Sequence, residues 1–529
     1  MKTRFHLIDS GFYPETLPPC FTSRDAKRAF RGIVKRLDDE KFHERKTDYV
    51  RYSATKHDGS RRLFGTPNII SYFHISSFLW KNWKSVEKGF GISDFSLGAP
   101  KVLSAKDDRA VKVSSLSELS ARANEKLRYA PFILQADIAQ CFPSIYTHSI
   151  SWAAHGIEKS KADTEKKSEV NYFNALDFFV RNAQRGNSRG VLIGPDGHRI
   201  IAEFILSKID EDLKKQIGDT IVGAVRHVDD YYIGLRTEHD AQSVLSHLRE
   251  ALANFALNLN DYKTRIYSSM EPINDLWAQR LRDFMAFDFR KVQVDKLERA
   301  ISEAAATASA IKSDSPIKIL LRSLDESEVY DDIEWEYVES YLQRIIQKFP
   351  HALDYACLLT AKRHALEESI DKEGWLAVAE TIIPRSLALN HHHEVVWLIW
   401  LLITCDISLP WALLELLEKS RNGHIRSILI QAYVDGKISR KPRLSLGSGL
   451  STVDEDWLTH LVAKSQGYSS AKFSGDFSSE FQHLSDRRIK LIDFREHEDK
   501  IKKRAVRAIS RTRYGYDDDS AWEDDGLEF

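Results

Sequence analysis

The chain is 529 residues long, 43% apolar and carries a formal net charge of −1. That length allows roughly two to four domains, and the apolar content supports packed cores and excludes a disordered chain. The near-zero charge excludes a uniformly basic nucleic-acid binder, so any groove for nucleic acid has to be a local concentration of cations.

Residues 1–50 read as an N-terminal extension. Gly11-Phe12-Tyr13-Pro14-Glu15-Thr16-Leu17-Pro18-Pro19 is a rigid, turn-rich start. Ser23-Arg24-Asp25 then leads into a basic helix whose apolar face is Phe30, Ile33, Val34 and Leu37. Residues 51–270 alternate strand and helix patterns. Lys56-His57-Asp58-Gly59-Ser60-Arg61-Arg62 is a basic segment with a glycine turn. Phe132-Ile133-Leu134-Gln135-Ala136-Asp137 is an apolar strand ending in an acid, and Phe142 follows five residues later. Residues 158–169 form a charged insertion without apolar period, a solvated loop or helix face. Gly190-Val191-Leu192-Ile193-Gly194-Pro195-Asp196-Gly197 is a glycine-rich loop that runs into helical apolar spacing over residues 199–210.

The most informative segment comes next. Val225-Arg226-His227-Val228-Asp229-Asp230-Tyr231-Tyr232-Ile233-Gly234 places two adjacent acids between two β-prone runs, which predicts a hairpin with the carboxylates at its turn. Adjacent carboxylates repel each other, so concentrating them calls for a cation, and a hard divalent ion prefers such oxygen ligands. An isolated Asp-Asp in a surface turn is common; the strand ending at Asp137 and the order of the segments make this one worth following. An amphipathic helix with Val244, Leu248, Ala251, Phe255 and Leu259 on one face follows, and then Asn258-Leu259-Asn260-Asp261-Tyr262-Lys263-Thr264.

From about residue 276 the β signal fades. Helical periods run through Trp335, Val338, Leu342, Ile345 and Phe349, through Trp375, Val378, Ala379 and Ile382, and over residues 395–404 and 411–417. Ile425, Ile428, Leu429, Ala432 and Tyr433 make the next, stopped near Gly436. Thr452-Val453-Asp454-Glu455 reads as a capping box before a further helix. Helices separated by short polar breaks suggest a HEAT-like stack, although no strict repeat is present. Residues 440–450 read as an exposed loop. His391-His392-His393 does not converge as metal ligands would, because consecutive helical residues point in different directions; a solvated loop or helix start is expected. Residues 500–513 hold seven basic residues and no acid, and residues 517–528 hold seven acids, a basic helix followed by an acidic tail.

The four cysteines, Cys20, Cys141, Cys357 and Cys405, form no CxxC pair, which argues against a zinc site or disulfide scaffold and for reduced, buried residues of a cytoplasmic protein. No hydrophobic signal region opens the chain, and the longest apolar stretch, residues 395–405, is too short to span a bilayer.

The order of the motifs resembles the palm of a reverse transcriptase. Ser144-Ile145-Tyr146-Thr147-His148-Ser149-Ile150 sharpens this to the bacterial abortive-infection and other defence-associated (DRT) reverse transcriptases, the group that includes AbiK and the P2-prophage Abi polymerase. The resemblance implies an α+β fold: reverse-transcriptase fingers and palm over 51–270, an α-helical HEAT-like domain over 271–495, and the basic helix and acidic tail over 496–529. It also implies two Mg²⁺ ions, with Mn²⁺ as a substitute, held by Asp137, the carbonyl of Ile138, Asp229 and Asp230. Lys56, Arg62 and Lys263 would face the triphosphate of a dNTP, with Lys263 also able to protonate the leaving pyrophosphate. Phe142 would exclude a ribose 2′-hydroxyl, and Gly194 would lie in the loop shaping the pocket.

Three positions depart from the family pattern: His227 stands where an aromatic is usual, Leu192 where proline is common and His198 where serine is common. They put ordinary templated copying in doubt and leave the metal chemistry intact. His227 is expected to be a packed strand residue, and Tyr231 and Tyr232 to support the hairpin. The family also implies DNA synthesis primed from a tyrosine hydroxyl, for which Tyr13, Tyr514 and Tyr516 are the candidates, and self-assembly into trimers or hexamers. The competing expectations are RNA-templated cDNA synthesis on a dedicated noncoding RNA, and a nonenzymatic nucleic-acid-binding scaffold.

Overall fold

The computed structural model describes residues 1–104, 107, 109–114, 116–271, 276–289, 293–331, 334–495, 498–503 and 505. Its strands are β1 (Val50–Thr55), β2 (Arg61–Thr66), β3 (Lys101–Val102), β4 (Val111–Lys112), β5 (Phe132–Asp137), β6 (Ile221–His227), β7 (Asp230–Leu235), β8 (Arg265–Ser268), β9 (Leu450–Ser451) and β10 (Phe473–Ser474). Four of them build the central sheet in the order β6-β7-β5-β8, each neighbour antiparallel.

Side chains alternate across this sheet with the period of two that a strand imposes. Leu134, Ala136, Tyr231, Ile233 and Leu235 face the main core, which also takes in the helices Asp196–Ile217 and Glu238–Ala253. Ile133, Val225, Tyr232 and Tyr267 point the other way, into a small second core against Leu119, Ala123 and Leu127 of the helix Leu116–Leu127. Of the apolar stripe expected at Val244, Leu248, Ala251, Phe255 and Leu259, the first four are buried and Leu259 is half-buried; the helix ends earlier, at Ala253, and Thr237 and Asp240 close a capping box at its start.

The N-terminal extension is not a loose arm. Its apolar face is buried at Phe30, Ile33 and Leu37, although the single helix expected there is two short ones, Ala26–Ala29 and Val34–Asp39. The carbonyl of Thr16 accepts hydrogen bonds from Tyr52 on β1 (2.9 Å) and from the indole of Trp397 (2.9 Å). Phe21 bridges to Ile492, so both flanks of the chain are sewn together.

From residue 276 every longer element is a helix, and successive helices pack in pairs, among them Val294–Ile311 with Ser315–Glu326, Lys372–Ala388 with His392–Thr404, and Gly423–Val434 with Trp457–Ser465. From Val395 to Ile403 the helix His392–Thr404 is apolar and buried all round, as a central core helix must be. Gly436 ends Gly423–Val434 from the left-handed region (φ 74°). The fold is therefore α+β, with a reverse-transcriptase-like sheet followed by a helical array.

Two expectations need correction. Thr452 does not cap the following helix: its hydroxyl is buried and donates to the carbonyls of Ser474 and Asp476. The histidine triplet does start a helix, but it is not solvated: His393 is buried, and His392 and His393 both bond to β1. All four cysteines are buried and unpaired. Among the described residues no helix is long and apolar enough to cross a membrane. The basic helix and acidic tail lie almost wholly outside the described residues.

Candidate active site

The register of β5 on β7 sets Asp137 directly opposite Asp230. Between β6 and β7 only Val228 and Asp229 form the turn, so Asp229 stands at the tip and Asp230 opens the returning strand. Asp137, Asp229 and Asp230 are thus gathered at one end of the sheet. Val228 has φ 54°, a left-handed conformation that a β-branched residue rarely adopts. Two contacts hold it there. The N–H of Ile138 donates to the carbonyl of Asp229 (3.1 Å), and the Arg226 guanidinium donates to the carbonyl of Val228 (2.8 Å).

Arg226 is the residue that sequence reading missed. Its side chain is wholly buried beneath the turn. It donates to both oxygens of Glu203 (2.8 and 3.0 Å) and both of Asp210 (2.9 and 3.0 Å) on the helix Asp196–Ile217. Asp210 also accepts from Ser93 (2.6 Å) and Tyr231 (2.8 Å), and Glu203 from Ser96 and Ser207. Burial raises the Asp210 carboxyl, with Arg226 acting against it. The signal available in the sequence is a lone arginine in an apolar strand and two acids seven apart on one helical face.

Asp229 and Asp230 feel both their burial and their acidic neighbours. Burial, and then the charge of Asp137, raise the Asp229 carboxyl; burial, and then Asp229 and Asp137, push Asp230 up to about 7. Cations answer this from the open side. The Lys263 ammonium donates to Asp137 (2.8 Å), and the charges of Lys263 and Arg62 reach Asp229. Among the described residues no three His, Cys, Asp or Glu side chains meet as a ready-made metal cluster. The donor set nonetheless fits a hard divalent ion, since it consists of carboxylate oxygens whose mutual repulsion a cation would relieve.

The other expected residues are placed as follows. Lys56 and Arg62 flank the tip of the β1–β2 hairpin; Lys56 lies 3.6 Å from Asp58, and Arg62 is exposed. Phe142 is half-buried in the short helix Cys141–Ser144, and its carbonyl accepts from Val191 in the glycine loop (2.9 Å). Gly194 has φ 121°, which favours glycine, and a Cβ there would lie 2.7 Å from the Pro14 ring. Leu192 and His198 are buried, and the His227 ring donates to the carbonyl of Ser114 (2.7 Å), a packed strand histidine as expected. Tyr231 and Tyr232 are buried in the sheet.

Tyr13 is buried and its hydroxyl donates to the carbonyl of Leu491 (3.2 Å), so it is core, not a mobile arm able to reach the palm. Tyr514 and Tyr516 lie outside the described residues. Sequence reading passed over Tyr262, which is fully exposed on the turn beside Lys263.

Residues 56–276 match the family model "Reverse transcriptase (RNA-dependent DNA polymerase)". No curated protein matches the chain. Among solved structures it is similar to telomerase from Candida albicans in complex with a fragment of telomeric RNA, at 12% identity, over 72% of this chain and 71% of that one, with a TM-score of 0.29. It is also similar to apo telomerase from Candida tropicalis, at 11% identity, over 68% of this chain and 65% of that one, with a TM-score of 0.33. The family match spans the sheet, the hairpin turn and all three aspartates: residues 56–276 are a reverse transcriptase domain.

Proposed function

We propose that the chain is a Mg²⁺-dependent DNA polymerase that extends DNA from dNTPs. The observation that carries this reading is Asp137 facing Asp230 across β5 and β7, with Asp229 at the adjoining turn and the Lys263 ammonium on Asp137. When bound, two divalent ions would activate the attacking hydroxyl and neutralise the phosphates. Asp137, Asp229, Asp230 and the carbonyl of Ile138 would hold them. Arg62, Lys56 and Lys263 bind the triphosphate, with guanidinium able to grip phosphate through paired N–H groups. Phe142 limits the sugar to deoxyribose, and Lys263 is placed to give a proton to the departing pyrophosphate. Chemistry of this type is positioning and charge neutralisation, which a rigid acidic turn supplies.

In its finer form the reading is antiphage defence, with synthesis primed by a protein hydroxyl and independent of template. It rests on the resemblance of residues 144–150 to defence-associated polymerases and on the altered loop positions Leu192 and His198. Burial removes Tyr13 from the priming candidates, leaving Tyr514 and Tyr516 and adding the exposed Tyr262. The test is incubation of the purified protein with Mg²⁺ and labelled dNTPs, before and after RNase treatment, followed by a denaturing protein gel. Label that stays on the protein until protease frees it supports protein priming, and loss of label after RNase supports copying of a bound RNA. The variant D229A/D230A should incorporate nothing, and unchanged incorporation would refute the site.

A further inference from the structure

The β1–β2 hairpin carries Lys56 and Arg62, the two cations proposed to meet the triphosphate. Both of its strands and its tip are bonded to the helical array. At the base, Asn422 donates to the carbonyl of Arg51 (2.7 Å), Arg51 pairs with Glu455 (2.6 Å), and Thr66 bonds His424 (2.9 Å). Midway, the N–H of Ser53 donates to His392 (3.1 Å) and the Tyr52 hydroxyl meets His393 (2.9 Å). At the tip, the N–H of Asp314 donates to the carbonyl of His57 (2.6 Å), and the His57 ring meets Ser313 (3.1 Å).

The centre of this seam is Glu394, whose side chain is 5% exposed. It accepts two hydrogen bonds from Arg61 (2.6 and 3.2 Å) and one from Thr55 (2.5 Å). His351, from the same array, bonds the carbonyl of Thr55 (2.8 Å). Arg61 and Arg62 are neighbours on one strand, so their side chains leave opposite faces. Glu394 neutralises the half-buried Arg61 and anchors its strand, which leaves the exposed Arg62 on the other face. The pair is costly to break, since removing the guanidinium strands the buried Glu394 carboxylate.

Building on the polymerase reading, we infer that Glu394 is a positioning residue for the nucleotide cations, and that the helical array holds the β1–β2 hairpin in one preset position, so that nucleotide binds without a hinge motion of that hairpin. The array is then a structural part of the nucleotide site and not an appendage to it.

Hydrogen exchange over residues 50–66, measured on the whole chain with and without dATP, tests the preset position. Slow exchange that dATP leaves unchanged is expected; fast exchange that dATP slows would overturn the inference. The variant E394Q keeps the shape and removes the charge. With folding checked by its melting transition, it should exchange faster over residues 50–66 and raise the KM for dNTP by about tenfold while kcat stays within about threefold. An unchanged KM in folded E394Q would overturn the positioning role, and E394D should recover part of the loss. A disulfide between H57C and S313C, formed without interference because the native cysteines are buried, should leave turnover intact; turnover lost on oxidation and regained on reduction would show that the hairpin must open. If the wild-type chain incorporates no nucleotide, the polymerase reading fails, while hydrogen exchange still decides whether the hairpin is fixed.

Discussion

Asp229 stands at the tip of a two-residue turn whose first member, Val228, has a backbone conformation it would not choose alone. Arg226 bears that strain from below, through its bond to the Val228 carbonyl and its pairing with Glu203 and Asp210. Removing the guanidinium leaves two buried carboxylates uncompensated, so R226M should lose about 3–5 kcal/mol of stability. The neutralised triple variant R226Q/E203Q/D210N should regain much of that stability in a thermal melt. It should still bind Mn²⁺ more weakly than wild type by titration, because the turn has lost its support. Equal Mn²⁺ affinity would mean that Arg226 serves folding alone. Phe142 carries a second prediction: F142A should incorporate ribonucleotides at least about tenfold better relative to dNTPs in a competition assay. The three acids were legible because their positions are local, each at a strand end beside a turn. Arg226 was not, because its meaning lies in partners 16 and 23 residues away on a helix.

At the scale of elements, periodicity announced the acid hairpin, the helix Glu238–Ala253 and most of the helical array. Contacts between distant segments escaped it. The sequence 452–455 has the composition of a helix cap, yet Thr452 serves the β9–β10 pair instead, since a short-range pattern cannot say which of two neighbours claims a hydroxyl. The turn-rich segment 11–19 reads as a rigid start, and nothing in its composition shows that its backbone lies between β1 and the core helix His392–Thr404. Deleting residues 1–22 should therefore lower the melting temperature and disturb dNTP binding together, through the loss of Thr16. A truncated chain with wild-type melting and nucleotide affinity would show that the segment is dispensable.

For the molecule as a whole, the buried histidines set the response to acid. Burial holds His74, His198, His351 and His424 at about 3, and His43 and His392 at about 4. Their folded pKa values are depressed, so below about 6.5 the unfolded chain takes up protons that the fold refuses. Their contribution is complete above that pH and shrinks as pH falls toward 4. Asp9, raised to about 7, Asp314, raised to about 6, and Asp230 act in the opposite sense over part of this range. The histidines outnumber them, so the melting temperature should fall between pH 7.5 and 5.5. A rise would mean that the acids dominate. This balance was invisible in the sequence, where a histidine in a polar run gives no hint of the surface that will cover it.

The pairing of the two flanks has a consequence for how the protein is made. Tyr13 bonds Leu491, 478 positions later, and Phe21 bridges to Ile492. At about 5–20 residues per second of synthesis, the first segment waits on the order of half a minute to a minute and a half for its partner to leave the ribosome. Until then the N-terminal strap is unanchored, although the partners of the β1–β2 hairpin, which end at Glu455, have already been made. A chain that stops before residue 491 is thus expected to keep the hairpin's partners and yet leave its first 22 residues without their C-terminal anchor.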